Sequence, residues 1–443
     1  MIWTVLFIGF LKFVNVYGCG VALSLTGREV PMKNRWNVFY HAVIGIGTPP
    51  QELSVHFDTG SMDLFVYKEG YTMIPGGQLN PKFRPNTFNP KNSRTFERPP
   101  EELLFDGTFA SGSKLKGYAG IDFITIGSGE NKFQIKTLIS IADQVSESGQ
   151  GEADGVFGLG FTMGSKLEKD KVISPLETIF SQTEVCGAVS FYAGRLNSEL
   201  TYGNPSILSD PLSGELYFGG FNKKYLQNPN RPDIITAKVT PRRDARGWAN
   251  TYVYTYWEIE TKGLFVGNAP LNRGSRGFSK IILDTGFSDI GISSQEMTQL
   301  ISNLFKGDPN LSRDALRGYI DCKILPDELP SVTFKILDTQ NRIRDLVLQP
   351  NDYIQSTKDE TKCQWRFMEM GDDPNLNFYM LGVPFFQKYY TLFDFENKAV
   401  SFTLAKQDVT KSIQPGKAGK EVARKKLDDF TKMMEARGYN SRL

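Results

Sequence analysis

The sequence predicts an all-β chain of two related halves, and three observations carry that expectation. A chain of 443 residues is too long for one ordinary core and suits two domains of roughly 180 residues each plus extensions. Its 42 glycines and 23 prolines punctuate short apolar runs, with 40% hydrophobic and 12% aromatic residues, a mix that favours many strands and turns over helices. The third observation is a duplication. Leu53-Ser54-Val55-His56-Phe57 leads into Asp58-Thr59-Gly60-Ser61, and Ile281-Ile282-Leu283 leads into Asp284-Thr285-Gly286. Each acid leaves an apolar strand and stops at glycine, and each copy has an echo: Gly158 of Val156-Phe157-Gly158 follows Asp58 by 100 residues, and Gly382 of Met380-Leu381-Gly382 follows Asp284 by 98.

Taken in order, residues 1–20 read as a signal peptide: an apolar segment interrupted by Lys12, too short to span about 30 Å of hydrocarbon comfortably, with Gly18 and Gly20 following. No stable membrane span is expected. Residues 21 to 36 are mixed and leave room only for a short pro-segment. The first lobe is assigned to 33–228. Its strands begin at Val38–Gly47, turn through Thr48-Pro49-Pro50-Gln51, where two prolines forbid ladder donation, and resume at Leu53–Phe57. Residues 70 to 100 are proline-rich loop. A long hairpin is expected over 102–126, Ser174-Pro175 caps a short helix, and strands return at Val189–Tyr192 and Glu215–Phe218. The Asn228-Pro229-Asn230-Arg231-Pro232 cluster marks the passage to a second lobe over 229–405. There the expected elements are an aromatic strand Tyr252–Ile259, a helix Ser293–Leu304, and strands Val332–Ile336, Tyr389–Phe395 and Ala399–Phe402. Residues 406–443 form a basic tail with ten Lys or Arg against five Asp or Glu, in which Val422, Leu427, Phe430 and Met434 recur near the spacing of one amphipathic helix.

A net charge of +2 supplies no general field for nucleic acid or an anionic membrane, and no basic stripe or nucleic-acid motif reopens that question. The two histidines, His41 and His56, sit in strand-like runs, which leaves almost no material for a Ser-His-Asp or Cys-His system; metal-ligand spacing is absent, and neither metal nor cofactor is expected. Cys322 and Cys363 fall in one half, 41 residues apart, and are paired; closing such a loop stabilises by roughly 3–4 kcal/mol. Cys186 is then expected as a buried free thiol, with Cys19 as its partner only if processing spares that residue. Asn310-Leu311-Ser312 is a glycosylation candidate.

Two acids on matching strand ends of related halves suggest a shared cleft with a local twofold axis between Asp58 and Asp284, their carboxylates within hydrogen-bond reach. Like charges about 3 Å apart hold one proton between them, so one member acts as base and the other as acid on a shared water, which suits amide hydrolysis without a covalent intermediate.

Here the residues resemble the pepsin-like aspartic proteases. The resemblance runs from about Tyr40 to Leu404 and includes Ile44-Gly45-Ile46-Gly47-Thr48-Pro49-Pro50-Gln51, Asp58-Thr59-Gly60-Ser61, Asp154-Gly155-Val156-Phe157-Gly158-Leu159-Gly160, and Leu381-Gly382 with Tyr389-Tyr390-Thr391. It implies a two-lobed β fold with pseudo-twofold symmetry and a central cleft. Asp58 and Asp284 become the dyad, supported by Thr59, Gly60, Ser61, Thr285 and Gly286, with the two threonines bonding across the lobes. The 102–126 hairpin becomes a flap with Phe105, Asp106 and Gly107 over the substrate, and Cys322–Cys363 the second lobe's disulfide. It further implies peptide or protein substrates, inhibition by pepstatin-type compounds, a monomer, and a place in the secretory pathway, either extracellular or in a lysosome-like acidic compartment.

Four positions depart from the family pattern. Phe287 stands where Ser or Thr usually follows Asp-Thr-Gly, so Asp284 lacks a hydroxyl donor that Ser61 offers Asp58, and the pair is expected to hold its proton to higher pH. Phe105 replaces the flap tyrosine and Phe65 the tryptophan that bonds to it, a paired loss that reads as a repacked apolar flap. Val383 follows Leu381-Gly382 where Asp is common. These departures give a rival reading: a catalytically impaired pepsin-like protein that binds peptides in its cleft.

Overall fold

The computed structural model describes residues 21–31, 36–75, 85–99, 102–108, 114–128, 131–146, 153–165, 173–194, 214–243, 252–272, 279–306, 308–321, 329–356, 362–371 and 378–406. The leader, Cys322, the hairpin residues 109–113 and the tail beyond Lys406 lie outside them.

The fold is mostly strand. The chain crosses between its halves in six consecutive strands, in the spatial order Ile235–Lys238, Ala399–Leu404, Tyr389–Asp394, Ala188–Ala193, Gly214–Phe218 and Val21–Pro31. Three come from each half. At the middle, Leu392 faces Ser190 and Phe393 faces Val189 in antiparallel register, which places the local twofold axis between these two strands.

The same arrangement of three strands builds each acid-bearing site. In the first lobe Gln51–Asp58 runs parallel to Gly155–Gly158, with Asp58 opposite Gly158, and Gly155–Gly158 in turn lies antiparallel to Leu64–Met73. In the second, Ser279–Leu283 runs parallel to Phe378–Leu381, which lies antiparallel to Ile290–Ile292. The echo segments of the sequence are therefore the strands wedged between the two arms of each acid loop. Their glycines are required by the closeness of that wedge: a methyl on Gly158 would meet the Met62 backbone at 2.4 Å, and one on Gly382 would overlap the Phe287 carbonyl.

Burial follows the strand alternation, and cores in both lobes meet under the cleft. Trp257, fully buried, packs on Phe161 at 4.6 Å and Phe393 at 5.1 Å and donates its indole N–H to the Leu159 carbonyl at 2.8 Å. The helices are peripheral. Pro175–Gln182 starts at Ser174, whose hydroxyl accepts from the Glu177 N–H, and Ser294–Phe305 starts likewise at Ser293. No helix among the described residues is long and apolar enough to cross a membrane.

Three expectations need correction. Residues 21–31, read as mixed, form a strand whose Val21–Leu25 stretch pairs with Gly214–Phe218 and buries Leu23 and Leu25. The aromatic run 252–259 is not one strand: Tyr252–Val253 pairs with Arg242–Arg243, while Glu258 opens the strand Glu258–Val266 against Ile282, so the chain changes partners between them. Cys186 is not a buried free thiol. It is half-buried and disulfide-bonded, as is the fully buried Cys363, and no described cysteine is free.

Candidate active site

Each acid loop ends in a glycine whose N–H folds back onto the acid: Gly60 N donates to Asp58 Oδ1 at 2.7 Å and Gly286 N to Asp284 Oδ1 at 2.8 Å. The glycines also bring the lobes together. A methyl on Gly60 would sit 2.5 Å from Asp284 Oδ2, and one on Gly286 would sit 2.5 Å from Asp58 Oδ1, so each loop's bare backbone lies against the other loop's carboxylate. The charge of Asp58 acts on the Asp284 carboxyl across this contact.

Beneath them, the threonines lock the lobes with four bonds. Thr59 Oγ1 donates to the Leu283 carbonyl at 2.8 Å and accepts the Thr285 N–H at 2.9 Å; Thr285 Oγ1 donates to the Phe57 carbonyl at 2.8 Å and accepts the Thr59 N–H at 3.0 Å. Both threonines are fully buried. The reciprocity is the twofold symmetry expressed in hydrogen bonds.

The Asp284 carboxyl is pushed well above its ordinary range, first by burial and then by the negative charge and hydrogen bond of Asp58, while the Gly286 and Phe287 backbone oppose the shift. The lost hydroxyl at Phe287 is thus not the leading cause. Nor does Ser61 supply a hydroxyl bond to Asp58: its Oγ is buried and makes no hydrogen bond, which corrects the contrast drawn from the sequence. Phe287 contributes its backbone, accepting the Val383 N–H at 2.8 Å.

Of the expected flap residues, Phe105 points inward. It is buried in the strand Leu104–Thr108, stacked on Phe65 with ring centroids 6.3 Å apart and planes at 26°, and Phe65 meets Tyr67 edge-on at 6.1 Å. Asp106 is exposed and pairs with Lys116 at 3.0 Å, and Gly107 is buried. Asn310 is exposed in the first turn of the helix Pro309–Leu316.

Two groups beside the acids were not singled out from the sequence. His56, two residues before Asp58 and 6% exposed, has Nδ1 2.9 Å from the Tyr40 carbonyl, its ring against Phe39, and a buried Nε2 without a hydrogen-bond partner; burial holds its pKa down against the attraction of Asp58. A carbonyl only accepts, so Nδ1 carries the hydrogen. Tyr256 lies near the acids: it precedes Trp257, whose carbonyl accepts the Leu283 N–H at 3.0 Å, and the charges of Asp284 and Asp58 reach its phenol. Burial and the charges of Asp284 and Asp58 push its phenol up, opposed by Arg242. The signal available in the sequence was the Tyr256-Trp257 pair ahead of a strand.

The profile of the eukaryotic aspartyl protease family matches residues 39–405. Among curated proteins the chain is 28% identical to "Vacuolar protease A" of Arthroderma otae, covering 86% of this chain and 82% of that one. It is 28% identical to "Cathepsin D" of Dictyostelium discoideum, over 86% and 87%, and 27% identical to "Pepsin A" of Sus scrofa, over 86% and 84%. The family match spans both acid loops, both echo strands and five of the six crossing strands, and the chain belongs to the eukaryotic aspartyl proteases.

Proposed function

We propose that this chain is a secreted or vesicular endopeptidase that hydrolyses peptide bonds through a water held between Asp58 and Asp284. The observation that carries the reading is the mutual contact of the two acid loops, with each loop's glycine against the opposite acid and the two threonines bonded across beneath them. Burial and the neighbouring charge favour the neutral form of Asp284, so the proton of the pair resides there before substrate binds. Asp284 then donates to the carbonyl oxygen of the scissile amide while the other carboxylate takes a proton from the water that attacks the carbonyl carbon. The tetrahedral intermediate collapses as Asp58 passes the proton taken from water to the amine nitrogen, the C–N bond breaks and Asp284 takes back a proton from the hydroxyl it had protonated, which restores the pair.

The Phe65–Phe105 stack gives the flap strand an apolar hold in place of a Tyr–Trp hydrogen bond. Relatives named for vacuoles, for cathepsin D and for pepsin support work in an acidic compartment of the secretory system. Cys363 pairs in this reading with Cys322. Digestion of a denatured protein mixture across pH, with and without a pepstatin-type inhibitor, tests the proposal. Asp58→Asn and Asp284→Asn should each abolish turnover. Tight binding of that inhibitor with no cleavage of any peptide identifies the chain instead as a peptide-binding relative.

A further inference from the structure

Beside Asp284 the second lobe carries a group of charges that the dyad chemistry does not use. Glu258, fully buried, accepts from Arg242 Nε at 2.8 Å and Nη2 at 2.5 Å through Oε2, and from Lys280 Nζ at 2.5 Å through Oε1. Arg242 and Lys280 remain about one-third exposed, at 35% and 34%. Two cations against one carboxylate leave one positive charge unneutralised within the group. The guanidinium of Arg242 reaches back from Glu258 over the ring of Tyr256, 4.9 Å from its centroid, and lies 5.8 Å from that of Phe378. Tyr256 adjoins Trp257, whose carbonyl accepts the N–H of Leu283 immediately before Asp284, so the Arg242 guanidinium over its ring lies close to the reacting pair. Lys280 lies further along the strand, opposite the exposed Glu260.

A bare arginine stacked on a half-buried tyrosine and held by a buried carboxylate is a rigid, directed cation. Its rotamer freedom is already lost, so a partner anion has little further ordering cost to meet. We infer that Arg242 is a specificity residue: it selects peptide substrates with an aspartate or glutamate close to the scissile bond, on the side that lies over Tyr256. This rests on the endopeptidase reading above and names the substrate class that reading leaves open. The chemistry is a carboxylate received by a guanidinium whose other edge is occupied by Glu258.

The test is a set of otherwise identical peptides with Glu or Gln at each position from the third before to the third after the scissile bond, read as the ratio of kcat/KM values. The wild-type ratio should favour Glu by about three- to fivefold at one position or two adjacent ones, as a partly exposed ion pair does, and should fall as salt is raised. Arg242→Lys should keep most of the preference and Arg242→Gln should bring the ratio to about one. Because Arg242→Gln leaves Glu258 with Lys280 alone, the double variant Arg242→Gln, Glu258→Gln guards against a folding defect and should give the same ratio. Equal turnover of Glu and Gln peptides at every position overturns the proposal, as does a preference that survives Arg242→Gln. If no peptide is cleaved at all, the endopeptidase reading fails separately. The Glu-to-Gln ratio is then read from peptide Kd values by fluorescence anisotropy, where equality again overturns the role of Arg242.

Discussion

Replacing Thr59 by valine removes one hydroxyl and keeps the shape of the side chain, which isolates the hydrogen bonds that join the lobes under the acids. The Thr285 N–H, with a single hydrogen to donate, loses its acceptor at 2.9 Å, and the Leu283 carbonyl loses its donor at 2.8 Å. Both groups are buried and neither is reached by water. An unsatisfied buried donor costs about 1–3 kcal/mol, and a carbonyl that loses one of its partners costs about 1, so the variant should be less stable by roughly 2–4 kcal/mol. Thr59→Ser keeps the hydroxyl and loses one methyl group, for which about 0.8 kcal/mol is expected. Urea midpoints followed by tryptophan fluorescence at one fixed pH, with the serine variant as control, measure the difference. Activity should respond as well: the bonds set the spacing of the loops that carry the acids, and a misplacement of about 1 Å can cost on the order of a hundredfold in rate. If Thr59→Val proves as stable as Thr59→Ser, the lobes are held by something other than this lattice.

Three further outcomes are expected. The His56 pKa is lowered on folding, so below about pH 6.5 the unfolded chain binds a proton that the folded chain refuses; stability should fall as the pH drops through that range, and His56→Leu should flatten the fall in a comparison of urea midpoints between pH 7 and 4. Asp284 has the opposite sign, because a raised carboxyl contributes stability at low pH that is lost as the pH rises through its folded value; the advantage of Asp284→Asn over the parent should therefore grow towards neutrality, while Phe287→Thr, which offers a hydroxyl to the charged acid, should move the pH–rate profile down. Superimposed profiles for Phe287→Thr and the parent would show that the hydroxyl has no part in the titration. Finally, peptide mapping without reduction should find no free thiol at Cys186 or Cys363 and should recover Cys363 linked to Cys322.

The sequence made the repeated parts of this molecule readable. A short motif is ambiguous when it occurs once, but Asp58-Thr59-Gly60 and Asp284-Thr285-Gly286 with their glycine echoes constrain each other, because only one arrangement of strands wedges Gly158 and Gly382 beside the acids. What was hidden depended on pairing between distant segments. Val21–Leu25 alternates too briefly to read as a strand until Gly214–Phe218 is seen to receive it. Tyr252 to Ile259 looks continuous until Arg242–Arg243 takes the first two residues away. The family pattern gives the Ser61 hydroxyl to Asp58, yet its Oγ finds no partner, because side-chain direction at the end of a tight turn is set by local geometry that no spacing rule conveys. The charge of Arg242 was visible, but its approach to Tyr256 was not, since sixteen residues separate it from Glu258.

The backbone treats the two acids almost alike, and this is what makes their difference interpretable. Each receives one glycine N–H, at 2.7 and 2.8 Å, and each rests on one threonine of the shared lattice. Groups outside the motif that act on either acid are therefore surroundings that the twofold axis does not relate. On the side of Asp58 lies His56, with a buried imidazole nitrogen that no group satisfies. Burial keeps that imidazole neutral against the attraction of the acid. On the side of Asp284 lies Tyr256, whose ring excludes water and whose phenol is itself discouraged from ionising by both acids. Burial and the charge of Asp58 favour the neutral form of Asp284, and Tyr256, which both acids keep from ionising, lies outside the duplicated motif among residues that each half acquired separately.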